Sequence, residues 1–320
     1  MELSRARELA GAMTLPSLID DDASRMAERS QNEDAIATLL DAWEKAPKGE
    51  EPVPFSQIIA LADRNRTLCD RIGPEALERV GDQSLERSLA PDVLVRGVAA
   101  LQHRKPAQVR RTAGSDLRDL GIAYVEAKVS GVVVGIDLET TGRYPDRGYI
   151  INLGFEFMRL TPDAEPSNAH AAYFGIPDIY RERGVPLERI HHITYDMLDG
   201  KTPFRQATRV HKALLKVLTS YPYLAHNAAF EDSWLRLHLP GYAEARKAGR
   251  IRVVDTRDIC RRIDVDGRAV PRDQRPNALE NWARRRGTLA KGESERHLGL
   301  EDVDLMLKTV QAEFSLRNMF

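Results

Sequence analysis

Two textures of apolar and polar positions divide this chain. In the first, Leu9, Met13, Leu39, Leu40, Trp43, Ile58, Ile59, Leu61, Leu68, Ile72, Leu94, Val98 and Leu101 recur at helical spacings. Strand-like alternation is scarce there, which predicts an all-helical region over residues 1–125. Lys48 through Pro54 reads as a loop inside it, and Gly73-Pro74 and Ala90-Pro91 break or begin helices. From Val132 the pattern becomes strand, turn, strand. Runs at 132–136, 150–160 and 169–174 predict an antiparallel meander, to which strands at 221–225 and 251–254 add a mixed sheet. Helices over 203–220, 228–239 and 300–315 would cover it. The expected architecture is therefore an α/β unit at 126–320, a mixed sheet flanked by helices, preceded by an all-helical domain. No fixed-period repeat or low-complexity tract is evident.

Composition changes this picture little. With 320 residues, 42% of them apolar, the chain can build one or two globular cores. It has no apolar run long enough to span a bilayer and no basic-then-apolar start, so no membrane partner and a cytoplasmic location are expected. Cys69 and Cys260 suggest no disulfide framework and fit a reducing compartment as inert thiols. The net charge of -1 conceals an uneven distribution: residues 246–286 hold thirteen Lys/Arg against six Asp/Glu. That excess either lines the path of a phosphate backbone or forms a solvated surface with internal ion pairs. His103-Arg104-Lys105 and Arg110-Arg111 pose the same choice, with a solvated helix face favoured.

Candidate chemistry begins at Asp137-Leu138-Glu139-Thr140-Thr141-Gly142, directly behind Val132-Val133-Val134-Gly135-Ile136. Residues two apart on a strand share a face, about 6.6 Å apart, so two carboxylates leave the end of a core strand side by side. Like charges in a poorly solvated place repel, and a divalent cation relieves both the repulsion and the lost hydration. An ordinary solvated turn is the simpler alternative for this pair alone. A second acidic site, His226-Asn227-Ala228-Ala229-Phe230-Glu231-Asp232, opens a helix carrying Trp234 and Leu235. A third, His297-Leu298-Gly299-Leu300-Glu301-Asp302, places a loop histidine ahead of a helix with Asp302 in its first turn.

These three motifs together resemble the DEDDh branch of the 3'→5' exonucleases, relatives of the proofreading subunit of bacterial replicative polymerase, over roughly residues 130–315. Lesser matches fall in order: Ile190 through Leu198, Val254-Asp255-Thr256, and Asn277-Ala278-Leu279 through Gly287. The resemblance implies a ribonuclease H-like fold and hydrolysis of DNA or RNA, releasing nucleoside 5'-monophosphates from a 3' end, single-stranded by expectation. It implies two Mg²⁺ or Mn²⁺ ions, in keeping with hard carboxylate donors. Asp137 would bridge the ions, Glu139 and Asp302 would complete the first, and Glu231 would hold the second. His297 would act as general base, a task suited to an imidazole near neutral pH. Thr140, Thr141 and Gly142 match the family's clamp on the terminal sugar, and Asn227 would position Glu231 or the nucleotide.

One position departs from the family, which has Asp where this chain has Glu231 followed by Asp232. The two side chains differ by about 100° around a helix, and Glu231 is favoured as the ligand. A free-standing role is expected rather than replicative proofreading, with a protein partner for the helical N-terminal domain left open. The alternative reading is a catalytically impaired nucleic-acid-binding or scaffold protein, Glu231 being the first sign of lost chemistry.

Overall fold

The computed structural model describes residues 22–73 and 128–320. The charged tracts at 103–105 and 110–111, and the helical periodicity expected at 1–21 and 74–125, lie outside the described residues. Two N-terminal helices, α1 (Asp22–Lys45) and α2 (Phe55–Arg71), agree with the helical spacing read there. They flank the loop expected around Lys48.

Three strands follow, β1 (Val132–Thr140), β2 (Ile150–Arg159) and β3 (Ser167–Tyr173). After short helical turns between residues 179 and 206 come α3 (Thr208–Ser220), β4 (Tyr223–Ala225), α4 (Ala229–His238) and α5 (Tyr242–Lys247). The chain continues through β5 (Val253–Asp255), α6 (Thr256–Ile263), α7 (Leu279–Arg286) and α8 (Gly299–Leu316). The five strands form one mixed sheet in the order β3-β2-β1-β4-β5. Its first three strands pair antiparallel, while β4 and β5 join β1 in parallel.

Helices cover both faces because both faces of β1 are apolar. Val134, Ile136 and Leu138 pack with Leu214, Trp234, Leu235 and Tyr242 from α3, α4 and α5. Val133 packs with Trp282, Val303, Leu307 and Val310 from α7 and α8. Trp282 is fully buried and donates its indole N–H to Glu313 at 2.8 Å, which makes it a packing residue rather than a base-stacking one.

The N-terminal helices belong to the same body. Ile36, Leu39, Trp43, Phe55, Ile58 and Ala62 share a core cluster with Leu237 of α4 and Ala243 of α5. Glu44 pairs with Arg236, the Lys247 ammonium donates to the Trp43 carbonyl at 2.7 Å, and the Arg66 guanidinium donates to the Pro145 carbonyl at 2.8 Å. All residues from Glu231 to His238 are consequently buried, including the polar ones. That is the physical reason α4 carries charges on every side yet has none facing solvent.

Two glycines fix how α8 meets the sheet. A Cβ on Gly154, which pairs with Asp137 across β1 and β2, would stand 2.2 Å from the Gly299 carbonyl carbon and the Leu300 amide nitrogen. On Gly299 it would stand 2.8 Å from the Gly154 nitrogen and 2.6 Å from the Asn152 side-chain oxygen, which accepts the Gly299 N–H at 3.2 Å. This close approach carries the first turn of α8, and with it Asp302, onto the acidic end of β1. Gly154→Ala forces backbone against backbone. We expect it to cost at least the about 1–3 kcal/mol typical of overpacking, read as a drop in thermal midpoint, and to impair whatever Asp302 does. An unchanged midpoint would refute this account of the contact.

Candidate active site

Sheet pleating sets the first two acids. In β1 the buried Leu138 separates Asp137 from Glu139, so both carboxylates leave the same side. The ladder register shifts between Glu139 and Thr140, and there the strand ends. Helix α8 supplies the third acid: ligand-capable atoms of Asp137, Glu139 and Asp302 all lie within 4.8 Å of one another. Backbone groups of Arg296 and His297 favour the charged form of the Asp302 carboxylate.

A cavity of about 210 Å³ opens on this cluster and is lined also by His226, Asn227, Phe230, Glu231, Glu295 and His297. Of the two neighbouring acids on α4, Glu231 reaches this cavity. Asp232 is buried elsewhere, accepting from the Tyr242 hydroxyl and from Arg246 at 3.3 Å. The expected 100° turn of the helix thus gives the two carboxylates separate tasks. Glu231 is 3% exposed, and its Oε2 has no hydrogen-bond partner. Glu231 stands outside the 4.8 Å group of Asp137, Glu139 and Asp302, but a buried, unpartnered carboxylate oxygen on the cavity they share fits a cation-binding set with all-oxygen donors.

Electrostatics say the same. Burial, then the charges of Asp302 and Glu295, push Asp137 well above the ordinary carboxylate range. Burial, then Asp137 and Asp302, push Glu139 up to about 9. Burial and then Glu295 raise Asp302 to about 7, and burial followed by Asp137 raises Glu231. Each folded-state value lies above its unfolded one, so the folded protein without metal holds protons that the unfolded chain releases. The contribution of these four carboxyls to stability is greatest below about pH 4 and is lost progressively as pH rises toward 9. We therefore expect the thermal midpoint in EDTA to fall from about pH 5 to about pH 9, and Mg²⁺ or Mn²⁺ to raise it most at the alkaline end. A midpoint indifferent to both pH and ion would count against a cation at this cluster.

His297 adopts a left-handed backbone (φ 51°), a costly conformation for a residue with a side chain, and its Nδ1 lies 3.9 Å from Asp302. The imidazole is 44% exposed, open to solvent and to a ligand in the cavity. Asn227 is also left-handed (φ 71°). Its N–H donates to Asp255 at 3.0 Å, and its side-chain oxygen accepts from Arg257 at 3.2 Å. Thr140, Thr141 and Gly142 close the end of β1 instead of lining the cavity. The Thr140 hydroxyl donates to the Gly142 carbonyl at 2.7 Å, and that of Thr141 accepts the Tyr149 N–H at 2.9 Å.

Three residues have roles that the motif reading left unassigned, His226 and Asp255 inside the matched segments and Glu295 outside them. Glu295, half-buried on the cavity wall, stands two positions before His297; extended chain puts such pairs on one side, which is the signal that could have found it. Asp255 caps α6 and holds the Asn227 amide, joining the second motif to the strand before the third. His226 is a strut. Its Nε2 meets the Asn277 carbonyl at 2.9 Å and its Nδ1 meets the Thr256 hydroxyl at 3.0 Å. Burial lowers it to about 4, so it stays neutral with the proton on Nε2.

No protein-family model matches this sequence. No curated protein matches it either. Among solved structures it is similar to a full-length 3'-exonuclease, at 19% identity over 57% of this chain and 80% of that one, with a TM-score of 0.40. It is also similar to the zinc-ion-bound form of the E. coli ExoI–ssDNA complex, at 15% identity over 59% of this chain and a TM-score of 0.42. That second match spans 41% of the other chain's length. Among the described residues, no helix is long and apolar enough to cross a membrane.

Proposed function

We propose that this chain is a metal-dependent 3'→5' exonuclease of the DEDDh type, built on a ribonuclease H-like unit at 126–320. Its substrate would be a single-stranded 3' end of DNA or RNA and its product a nucleoside 5'-monophosphate. The observation that carries this reading is the meeting of Asp137, Glu139 and Asp302 within 4.8 Å, on a cavity that Glu231 and His297 also line. Two ions of the Mg²⁺ or Mn²⁺ kind, held by Asp137, Glu139, Glu231 and Asp302, would supply charge neutralisation at the phosphate and a more acidic attacking water.

The remaining work falls to side chains. His297 accepts the proton of the attacking water and passes it to solvent, through which the leaving 3' oxygen is protonated. Asp302, 3.9 Å away, steadies the imidazolium formed. Glu295 places a further carboxyl on the wall beside His297. Thr140, Thr141 and Gly142 would shape the end of β1 beside the site, while Asn227, tied to Arg257, would border the nucleotide. In this reading α1 and α2 brace α4 and α5, and the N-terminal region at 1–125 is where a protein partner would bind.

The test is release of mononucleotide from a 3'-labelled oligonucleotide in Mg²⁺ or Mn²⁺, set against a 5'-labelled one. Binding without release in either ion would favour the scaffold reading instead. Matched ribo- and deoxyribo-oligomers then separate RNA from DNA, a choice that turns on contacts to the 2'-hydroxyl.

A further inference from the structure

Several arginines of the basic segment are neutralised where they stand. Arg246 pairs with Asp232 at 3.3 Å, Arg261 with Asp258 at 2.9 Å and Arg285 with Asp264 at 2.5 Å. Arg284 pairs with Glu280, and Arg286 is shared among Asp264, Asp266 and Glu313. Among the described residues that have no carboxylate partner within salt-bridge distance, Arg257, Arg272 and Arg275 gather in one place. These three, with Arg261, line a cleft of about 710 Å³. The cleft shares His226, Asn227, Leu279 and Glu295 with the carboxylate cavity, so the two are continuous. Arg257 joins them, donating to the Asn227 side chain while its own Nε is buried without a partner.

The opposite flank has the other sign. A second hollow of about 590 Å³, sharing Glu295 and Asp302 with the cavity, is lined by Glu156, Glu293, Glu301 and Asp304 as well. Its single arginine, Arg296, is taken by Glu301 at 3.4 Å. The carboxylate cavity is thus flanked by a basic hollow and by an acidic one. A polyanion gains from the first flank and is repelled by the last.

We propose that the arginine cleft holds the phosphates on the 5' side of the bond being cut, so that a single strand lies along it and its 3' end stops in the carboxylate cavity. The acidic flank gives the strand no continuation, which turns a phosphodiester site into an end-specific one. This deepens the nuclease reading and rests on it for the identity of the bond. The cleft's affinity for backbone phosphate stands apart from catalysis and is measured without it.

The experiment uses the full chain in EDTA with a 5'-dye-labelled oligothymidylate, following fluorescence anisotropy across a salt series. Arg272→Ala/Arg275→Ala, both exposed positions, should bind about tenfold more weakly. Its plot of log affinity against log salt should be shallower by about 1.4, at about 0.7 per phosphate contact on a single strand. Arg272→Lys/Arg275→Lys should recover most of that loss, and Arg250→Ala/Arg252→Ala, on exposed positions outside the cleft, should behave as wild type. Equal affinity and slope in the cleft variant, or an equal loss in the Arg250/Arg252 pair, overturns the proposal. A protein that binds through the cleft in this way yet releases no mononucleotide in Mg²⁺ or Mn²⁺ sinks the nuclease reading and leaves the phosphate-binding cleft in place.

Discussion

Asp137→Ala is expected to abolish cleavage while leaving a folded, and in EDTA a more heat-resistant, protein. The carboxylate stands at the centre of the acidic set, within 4.8 Å of the ligand atoms of both Glu139 and Asp302, so no neighbour can take its place. Loss of several kcal/mol of charge stabilisation in the transition state corresponds to a fall in kcat of at least about 10³-fold. Removing it also takes away a buried like charge, and the resulting relief separates this variant from one that simply unfolds. Steady-state cleavage together with a thermal midpoint in EDTA checks both halves. Activity above about a tenth of wild type would be incompatible with the metal arrangement proposed.

Glu231→Gln and Asp232→Asn should fail in opposite ways although the residues are adjacent. Glu231 lines the cavity and Asp232 does not. Glu231→Gln is therefore expected to lower kcat by about 10²-fold, two tenfold steps of about 1.4 kcal/mol each, with the fold intact. Asp232 is fully buried, accepting from the Tyr242 hydroxyl and facing Arg246. Removing one member of a buried charge pair costs about 3–5 kcal/mol, so Asp232→Asn should lower the melting temperature while the folded fraction keeps its turnover. If both variants proved equally active and equally stable, the division of labour between the two carboxylates would be wrong.

Much of the candidate site was legible because strand and helix periodicity are local. The twofold repeat of β1 put Asp137 and Glu139 on one side, and the helical repeat separated Glu231 from Asp232. Each outcome follows from backbone geometry a few residues long. The sheet, with its meander and two parallel additions, was readable for the same reason. What stayed hidden depends on distant partners. Nothing beside Gly154 in the sequence announces that Gly299 will lie on it. Thirteen basic residues in one segment read as a uniform patch until Asp232, Asp264, Glu280 and Glu313 take up several arginines and three others gather in a cleft. Glu295 differs from the other acids of its loop only in where the chain puts it. Helix α4, acidic and basic on several sides, owes its burial to α1 and α2, which precede it by well over a hundred positions.

That last arrangement bears on how the protein can be handled. Cutting the chain ahead of Lys128 would uncover Leu237 and Ala243, strip Arg236 of Glu44, and leave the Lys247 ammonium without its seat over the Trp43 ring, 4.1 Å away. A shortened version carrying every proposed ligand should therefore be sticky and poorly behaved in purification, and the helix that bears Glu231 should be the first to loosen.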